Sequence, residues 1–148
     1  MAKKYGEEKV HKWRRSFDVP PDPLPEDDPR HPIHEPRYQG LEKEATPGTE
    51  ALIHVVKRII PYWENEIAPA LKKNKEVLVS THGNSLRAMV KFLKDMPEED
   101  IVTFNIPTGI PYVFEFDENM KLVNDEFIGD PEVIKELMKQ VANQAKGK

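Results

Sequence analysis

Val77-Leu78-Val79-Ser80-Thr81-His82-Gly83-Asn84-Ser85-Leu86-Arg87 is the stretch on which the fold turns. It opens on three apolar residues, two of them β-branched, and reads as a short buried strand, predicted parallel. Thr81-His82-Gly83-Asn84 reads as a turn. Leu86, Met89, Val90 and Leu93 then recur at helical spacing, which predicts a helix from Leu86 to Leu93. Strand, turn and helix in this order make the unit of an α/β fold, whose ligands sit at the carboxyl ends of the strands. His82 stands at such an end. The N–H groups of Gly83, Asn84 and Ser85 would point to the same place and, with the helix dipole, favour an anion there. Gly83 lets a ligand approach the backbone. The plainer reading is that Asn84 or Ser85 only caps the helix while His82 packs beside it; local geometry alone favours that one.

Upstream, Leu52, Val55, Val56, Ile59 and Ile60 predict a helix from about Thr49 to Lys73, kinked or restarted at Pro61. Trp63, Ile67, Ala70 and Leu71 continue its apolar face. Lys72-Lys73-Asn74-Lys75 closes it with positive charge, which the dipole favours at a C-terminus. Before it, residues 18–47 carry eight prolines: Pro20, Pro21, Pro23, Pro25, Pro29, Pro32, Pro36 and Pro47. Lacking N–H groups and fixed in φ, these exclude helix and central strand and predict an extended loop. Glu7 to Phe17 reads as a helix with Val10, Trp13 and Phe17 on one face. No Ser, Thr, Asp or Asn stands at its N-cap position, and Met1-Ala2-Lys3-Lys4 reads as helix interior, as if a longer element had been entered midway.

Downstream, Pro97 fits a first helical position, with Glu98, Glu99 and Asp100 in the first turn. Tyr112–Phe116 and Leu122–Phe127 read as a hairpin around Asp117-Glu118-Asn119. Asp130-Pro131 opens a last helix with Ile134, Leu137, Met138 and Val141 facing inward. Ala145-Lys146-Gly147-Lys148 ends the chain as a basic tail. No internal repeat is present.

Composition narrows the function. With 148 residues the chain has a one-domain length. A net charge of -4, from 22 Lys+Arg against 26 Asp+Glu, argues against a nucleic-acid binder, which would carry a basic stripe. The sequence holds no apolar run long enough to span a membrane and no signal-peptide core. It has no cysteine, which removes disulfides, thiolate nucleophiles and Cys-ligated zinc; a cytoplasmic protein fits. Arg14-Arg15 could hold a phosphate or carboxylate, or be a solvated helix end. His31 and His34, three apart in the proline loop, lack the ligand set of a metal site. His11 and His54 read as ordinary helix residues.

Larger strings carry a resemblance. Tyr5-Gly6-Glu7-Glu8, Trp13-Arg14-Arg15-Ser16-Phe17, Ile60-Pro61-Tyr62-Trp63, Thr81-His82-Gly83-Asn84-Ser85-Leu86-Arg87, Asn105-Ile106-Pro107-Thr108-Gly109-Ile110-Pro111 and Val141 to Lys148 closely resemble the 2,3-bisphosphoglycerate-dependent phosphoglycerate mutases of the histidine phosphatase superfamily. The resemblance implies a three-layer α/β/α fold, incomplete here because its N-terminal strands and helices are missing. Residues 1–148 would be one domain, the C-terminal portion of such a fold, with 18–47 a loop within it. It implies a cytoplasmic glycolytic enzyme that interconverts 3-phosphoglycerate and 2-phosphoglycerate through a phosphohistidine primed by 2,3-bisphosphoglycerate, without metal. His82 would be the second active-site histidine, which donates to the phosphoryl group in flight. Gly83 and Asn84 would contact phosphate, and Arg14 and Arg15 would be the arginine pair on the substrate anion. Phosphoglycerates would be the partners, with neither nucleic acid nor membrane, and a full-length parent would be a homodimer or homotetramer.

Departures from the family pattern limit this. The family's nucleophile lies in an Arg-His-Gly string, and none occurs here; Arg30-His31-Pro32 is the nearest and lies in the proline loop. The acid/base Glu of a Glu-Arg-His-Tyr-Gly string and the Lys after it are absent as well. The isolated chain is therefore expected to be inactive and to expose an apolar strand edge. The other reading is a non-catalytic phosphate-binding or interaction module.

Overall fold

A computed structural model describes residues 2–73 and 76–143. Two helices open the chain, α1 (Ala2–Tyr5) and α2 (Glu7–Arg15), parted by Gly6 at a φ of 84°, which suits glycine. No side chain caps α2, as the sequence implied. Val10 and Phe17 are buried and Trp13 is half-buried, so the expected face does turn inward.

Residues 18–47 contain neither α-helix nor strand. They do hold three single 3-10 turns, Pro32–His34, Pro36–Tyr38 and Lys43–Ala45, where the sequence predicted none. Proline starts two of them because the first N–H of a helical turn needs no internal partner. The ends of the loop are pinned together: Leu24 N–H donates to Gly48 O at 3.0 Å, and the Thr49 hydroxyl donates to Pro21 O at 2.6 Å. His31, only 4% exposed, packs against this junction. A Cβ on Gly48 would stand 2.4 Å from Leu24 O and 3.0 Å from His31 Nε2, so nothing larger than glycine fits.

Helix α3 (Leu52–Tyr62) runs through Pro61 without restarting. It widens instead into one π-turn, Trp63–Ile67, and continues as α4 (Ala68–Lys72). The wide turn lies between Pro61 and Pro69, where missing N–H groups loosen the regular ladder. Asn74 and Lys75, part of the expected basic ending, lie outside the described residues.

The core is small and helical. Phe17, Leu52, Val55, Ala88 and Ile101 form it, with Ile53, Val56, Ile59, Met96 and Phe104 packed around. Helix α3 lies on α5 (Gly83–Leu93), and α2 meets α6 (Glu98–Thr103). Pro97 is the N-cap of α6 rather than its first residue. Helix α5 turns inward on a face rotated from the expected one: of Leu86, Met89, Val90 and Leu93 only Val90 is buried and the others are half-buried, while Arg87 and Ala88 join Val90 in the buried set. Ala88 is small enough to let α3 come close, and that fixes the rotation of α5.

The hairpin forms as expected, β1 (Tyr112–Phe116) antiparallel to β2 (Leu122–Phe127) with Tyr112 opposite Phe127. Asp117 Oδ1 accepts the N–H groups of Asn119 and Lys121 across the turn. Lys94, beyond the end of α5, donates to Asp125 Oδ2 at 2.6 Å, and the Tyr112 hydroxyl donates to the same oxygen. The last helix, α7 (Pro131–Asn143), starts at Asp130, whose Oδ1 accepts from Glu132 N–H at 2.8 Å and Val133 N–H at 3.3 Å. Ile134 is buried, and Leu137, Met138 and Val141 are half-buried. The basic tail lies outside the described residues.

The result is a mixed helix-and-strand fold of the α/β class with a small antiparallel sheet. The expected buried parallel strand is not formed. Residues 76–81 run outside any ladder, Val77 is exposed and Leu78 is 93% exposed. A parallel strand is held by neighbours, and among the described residues none lies beside this one.

Candidate functional site

The extended segment ends at Thr81, and α5 begins at Gly83, one turn earlier than its apolar spacing suggests. Between them His82, in an extended conformation, is itself the N-cap. Its Nδ1 accepts the Asn84 N–H at 3.2 Å. Neither Asn84 nor Ser85 is the cap, so the plainer sequence reading gives way to a third one. Because Nδ1 accepts, the proton of the neutral ring is on Nε2, and that N–H is the ring's free donor. The N–H groups of Gly83 and Ser85 find no acceptor among the described residues.

Arg14, Arg15, His82, Gly83 and Asn84 all line one cleft of about 890 Å³. Its opposite wall is the loop from Asn105 to Pro111. A smaller recess of about 370 Å³ adjoins it, bordered by Glu50, Arg58 and Ser85. The Glu50 carboxylate is paired with Arg58, which raises the Arg58 pKa by that hydrogen bond.

The two adjacent arginines differ in what they can do. Arg14 is exposed at the cleft. Arg15 is 8% exposed, and its guanidinium donates to Asn105 Oδ1 and to the carbonyls of Val141 (3.1 Å) and Ala142 (3.4 Å). It thereby ties α2 to the far end of α7. Burial and the neighbouring Arg14 charge both lower its pKa.

Sequence reasoning passed over Arg87 as a site residue. It is 6% exposed, and it donates from Nη1 to Asn84 Oδ1 at 3.3 Å and from Nη2 to Ile101 O. Its Nε is buried and has no partner among the described residues. Burial, then the charge of Arg15, lowers its pKa to about 10. Among the described residues neither Arg15 nor Arg87 has an acidic partner. Buried guanidiniums without an acidic partner, beside unpaired helix N–H groups, favour an anion. The one signal in the sequence is spacing: Arg87 follows Asn84 by three residues, one helical turn, which places the two together but does not announce the burial.

The loop histidines stand apart. His31 Nδ1 accepts the Ile33 N–H, and His34 Nε2 lies 2.7 Å from Glu26 O. His54 Nδ1 accepts the Ala51 N–H at the start of α3, a structural cap. Among the described residues no group of three or more His, Cys, Asp or Glu is placed to hold a metal, and no helix is long and apolar enough to cross a membrane.

An arginine-walled cleft thus lies at the head of α5 in a protein of the α/β class. Residues 2–126 match the family described as histidine phosphatase superfamily (branch 1), and the chain belongs to that superfamily. It is similar to 2,3-bisphosphoglycerate-dependent phosphoglycerate mutases: 56% identical over 147 residues to one of Porphyromonas gingivalis, 54% to one of Parabacteroides distasonis and 52% to one of Elusimicrobium minutum. Each match takes in 99% of this chain and 59% of the relative.

Proposed function

We propose that this chain is the substrate-holding part of a 2,3-bisphosphoglycerate-dependent phosphoglycerate mutase, which interconverts 3-phosphoglycerate and 2-phosphoglycerate in glycolysis, in the cytoplasm. The observation that carries the reading is the orientation of His82: its Nδ1 is engaged by the Asn84 N–H, which leaves Nε2–H to donate into a cleft that also holds Arg14. A phosphoryl group in flight gains negative character on its peripheral oxygens, and a fixed donor at that point lowers the barrier. Arg14 grips the substrate anion, and the Gly83 N–H and the Asn84 side chain lie at the phosphate end, the Asn84 N–H being held by His82. Arg15 acts by position, holding the far end of α7 beside the cleft.

The residues fit 2,3-bisphosphoglycerate, since the partnerless Arg87 Nε and the paired positive charges ask for a polyanion. When bound, that cofactor supplies the phosphoryl group that primes the family's nucleophilic histidine. No Arg-His-Gly string lies in these residues, so the nucleophile would come from a segment other than these. The unladdered Val77-Leu78-Val79 is where such a segment would pair, and a homodimer or homotetramer is the proposed state of the whole enzyme.

Labelled 2,3-bisphosphoglycerate tests the roles. The chain alone should stay unlabelled and turn over nothing. Mixed with a polypeptide covering the remaining N-terminal part of the Porphyromonas gingivalis relative, it should gain mutase activity, and His82→Ala should remove that activity. Stable label on His82 in the chain alone overturns its role as donor. Phosphate binding without turnover in the mixture favours a non-catalytic phosphate-binding module instead.

A further inference from the structure

We propose that Arg87 is a positioning residue that fixes which way the Asn84 side-chain amide faces, so that its NH₂ group, and not its carbonyl, meets the ligand's phosphate dianion. This rests on the phosphate-binding reading of the cleft and adds to it the device that makes the cleft selective for an anion.

A side-chain amide has two faces of opposite character, one accepting and one donating. Left free at the head of α5, Asn84 could turn either toward the cleft. A guanidinium carries only donors. Arg87 Nη1 lies 3.3 Å from the Asn84 oxygen, so only Oδ1 can face it, and on this exposed residue Nδ2 is the group that Arg87 leaves for a ligand. Arg87 can impose this because it is itself immobile. Its Nη2 is anchored on Ile101 O at the core, and only 6% of the residue is exposed. Arg87 also lies on the lining of both the cleft and the recess. Its Nε has no acceptor among the described residues, so burying it has no structural return there. A Lys at 87 would keep the charge but could not span the Asn84 oxygen and the Ile101 carbonyl with one ammonium.

Inorganic phosphate is the probe, titrated into the 148-residue chain and followed by NMR on the Gly83, Asn84 and Ser85 backbone N–H groups and the Asn84 NH₂ pair. In the unsubstituted chain all of these should shift together. Arg87→Lys should weaken binding by about fivefold, the effect of one hydrogen bond made in the wrong orientation. In an Asn84→Ala background the same Arg87→Lys change should cost less than about twofold, since the amide it orients is gone. Any folding cost of losing the Ile101 bond is present in both backgrounds and cancels. Equal weakening in the two backgrounds, or none in either, overturns the proposal while leaving the phosphate site standing. Should the Arg87 variants fail to fold, the unsubstituted chain decides: Asn84 NH₂ signals that stay put while the backbone N–H groups move overturn it, and movement of both supports it. If phosphate moves none of them, the cleft reading and this proposal fall together.

Discussion

Helices α5 and α7 both begin with a side chain that folds back onto N–H groups, yet they end with opposite character. At α7 the cap is Asp130, whose carboxylate takes two N–H groups and supplies the negative charge that a helix start favours. At α5 the cap is His82, an imidazole that takes one N–H and brings no negative charge. Gly83 and Ser85 are left open, with Arg14 and Arg87 beside them. The first start is complete without a ligand. The second is held in shape but left electrically unbalanced. A helix start favours an added anion more where its N–H groups stay open and no carboxylate already answers them.

Four changes break or sharpen that contrast. Helix α7 is closed at its other end too, by Arg15, and Arg15→Ala should cost about 3 kcal/mol by stranding Asn105 and two carbonyls. A lower urea midpoint and faster hydrogen exchange along α7 would register it. Making α5 resemble α7 comes next. His82→Asp should abolish the phosphate binding proposed for the cleft, a loss of at least about 1.4 kcal/mol. The thermal midpoint should hold or rise, since Asp caps well; calorimetry and titration on one sample read both. The converse, Asp130→Ala, should cost about 1 kcal/mol of stability and leave phosphate affinity unchanged.

The smallest effect lies in the hairpin. Burial raises the Asp125 carboxyl pKa, but hydrogen bonds from Lys94 and Tyr112 outweigh it, and the folded value lies below the ordinary 3.8. A depressed carboxyl stabilises above the unfolded pKa and stops doing so as pH falls through the folded one. Acid below about pH 4 should therefore loosen the hairpin from Lys94 by about 0.5 kcal/mol, because the pair is partly exposed. Asp125→Asn should flatten that part of the stability–pH curve.

The sequence was most readable where apolar spacing and burial coincide, as along Leu52 and Val55 of α3 or at Asp130-Pro131. It misled at α5. There Leu86, Met89, Val90 and Leu93 look like the core face, but only Val90 of these is fully buried, and Ala88 and Arg87 share its place, one too small and the other too polar to register as core. A buried guanidinium becomes admissible only when a carbonyl such as Ile101 O is brought to it, and no periodicity encodes that. Val77-Leu78-Val79 shows the other limit. Its composition reports the environment that the segment favours, while ladder partners determine whether it gets one. At the site, the turn before the helix drew attention to His82, and the structure places it at the helix head and on the cleft, but the choice of His82 as cap was invisible, because it depends on one extended residue before the first turn.

Gly48 carries a consequence for inheritance. Its neighbours leave no room for a Cβ, and every missense change of a glycine codon adds one. No conservative replacement therefore exists at this position. A lineage that loses the glycine would have to move Leu24 and His31 together to recover, through intermediates whose loop no longer closes, although position 48 itself never touches the phosphate cleft.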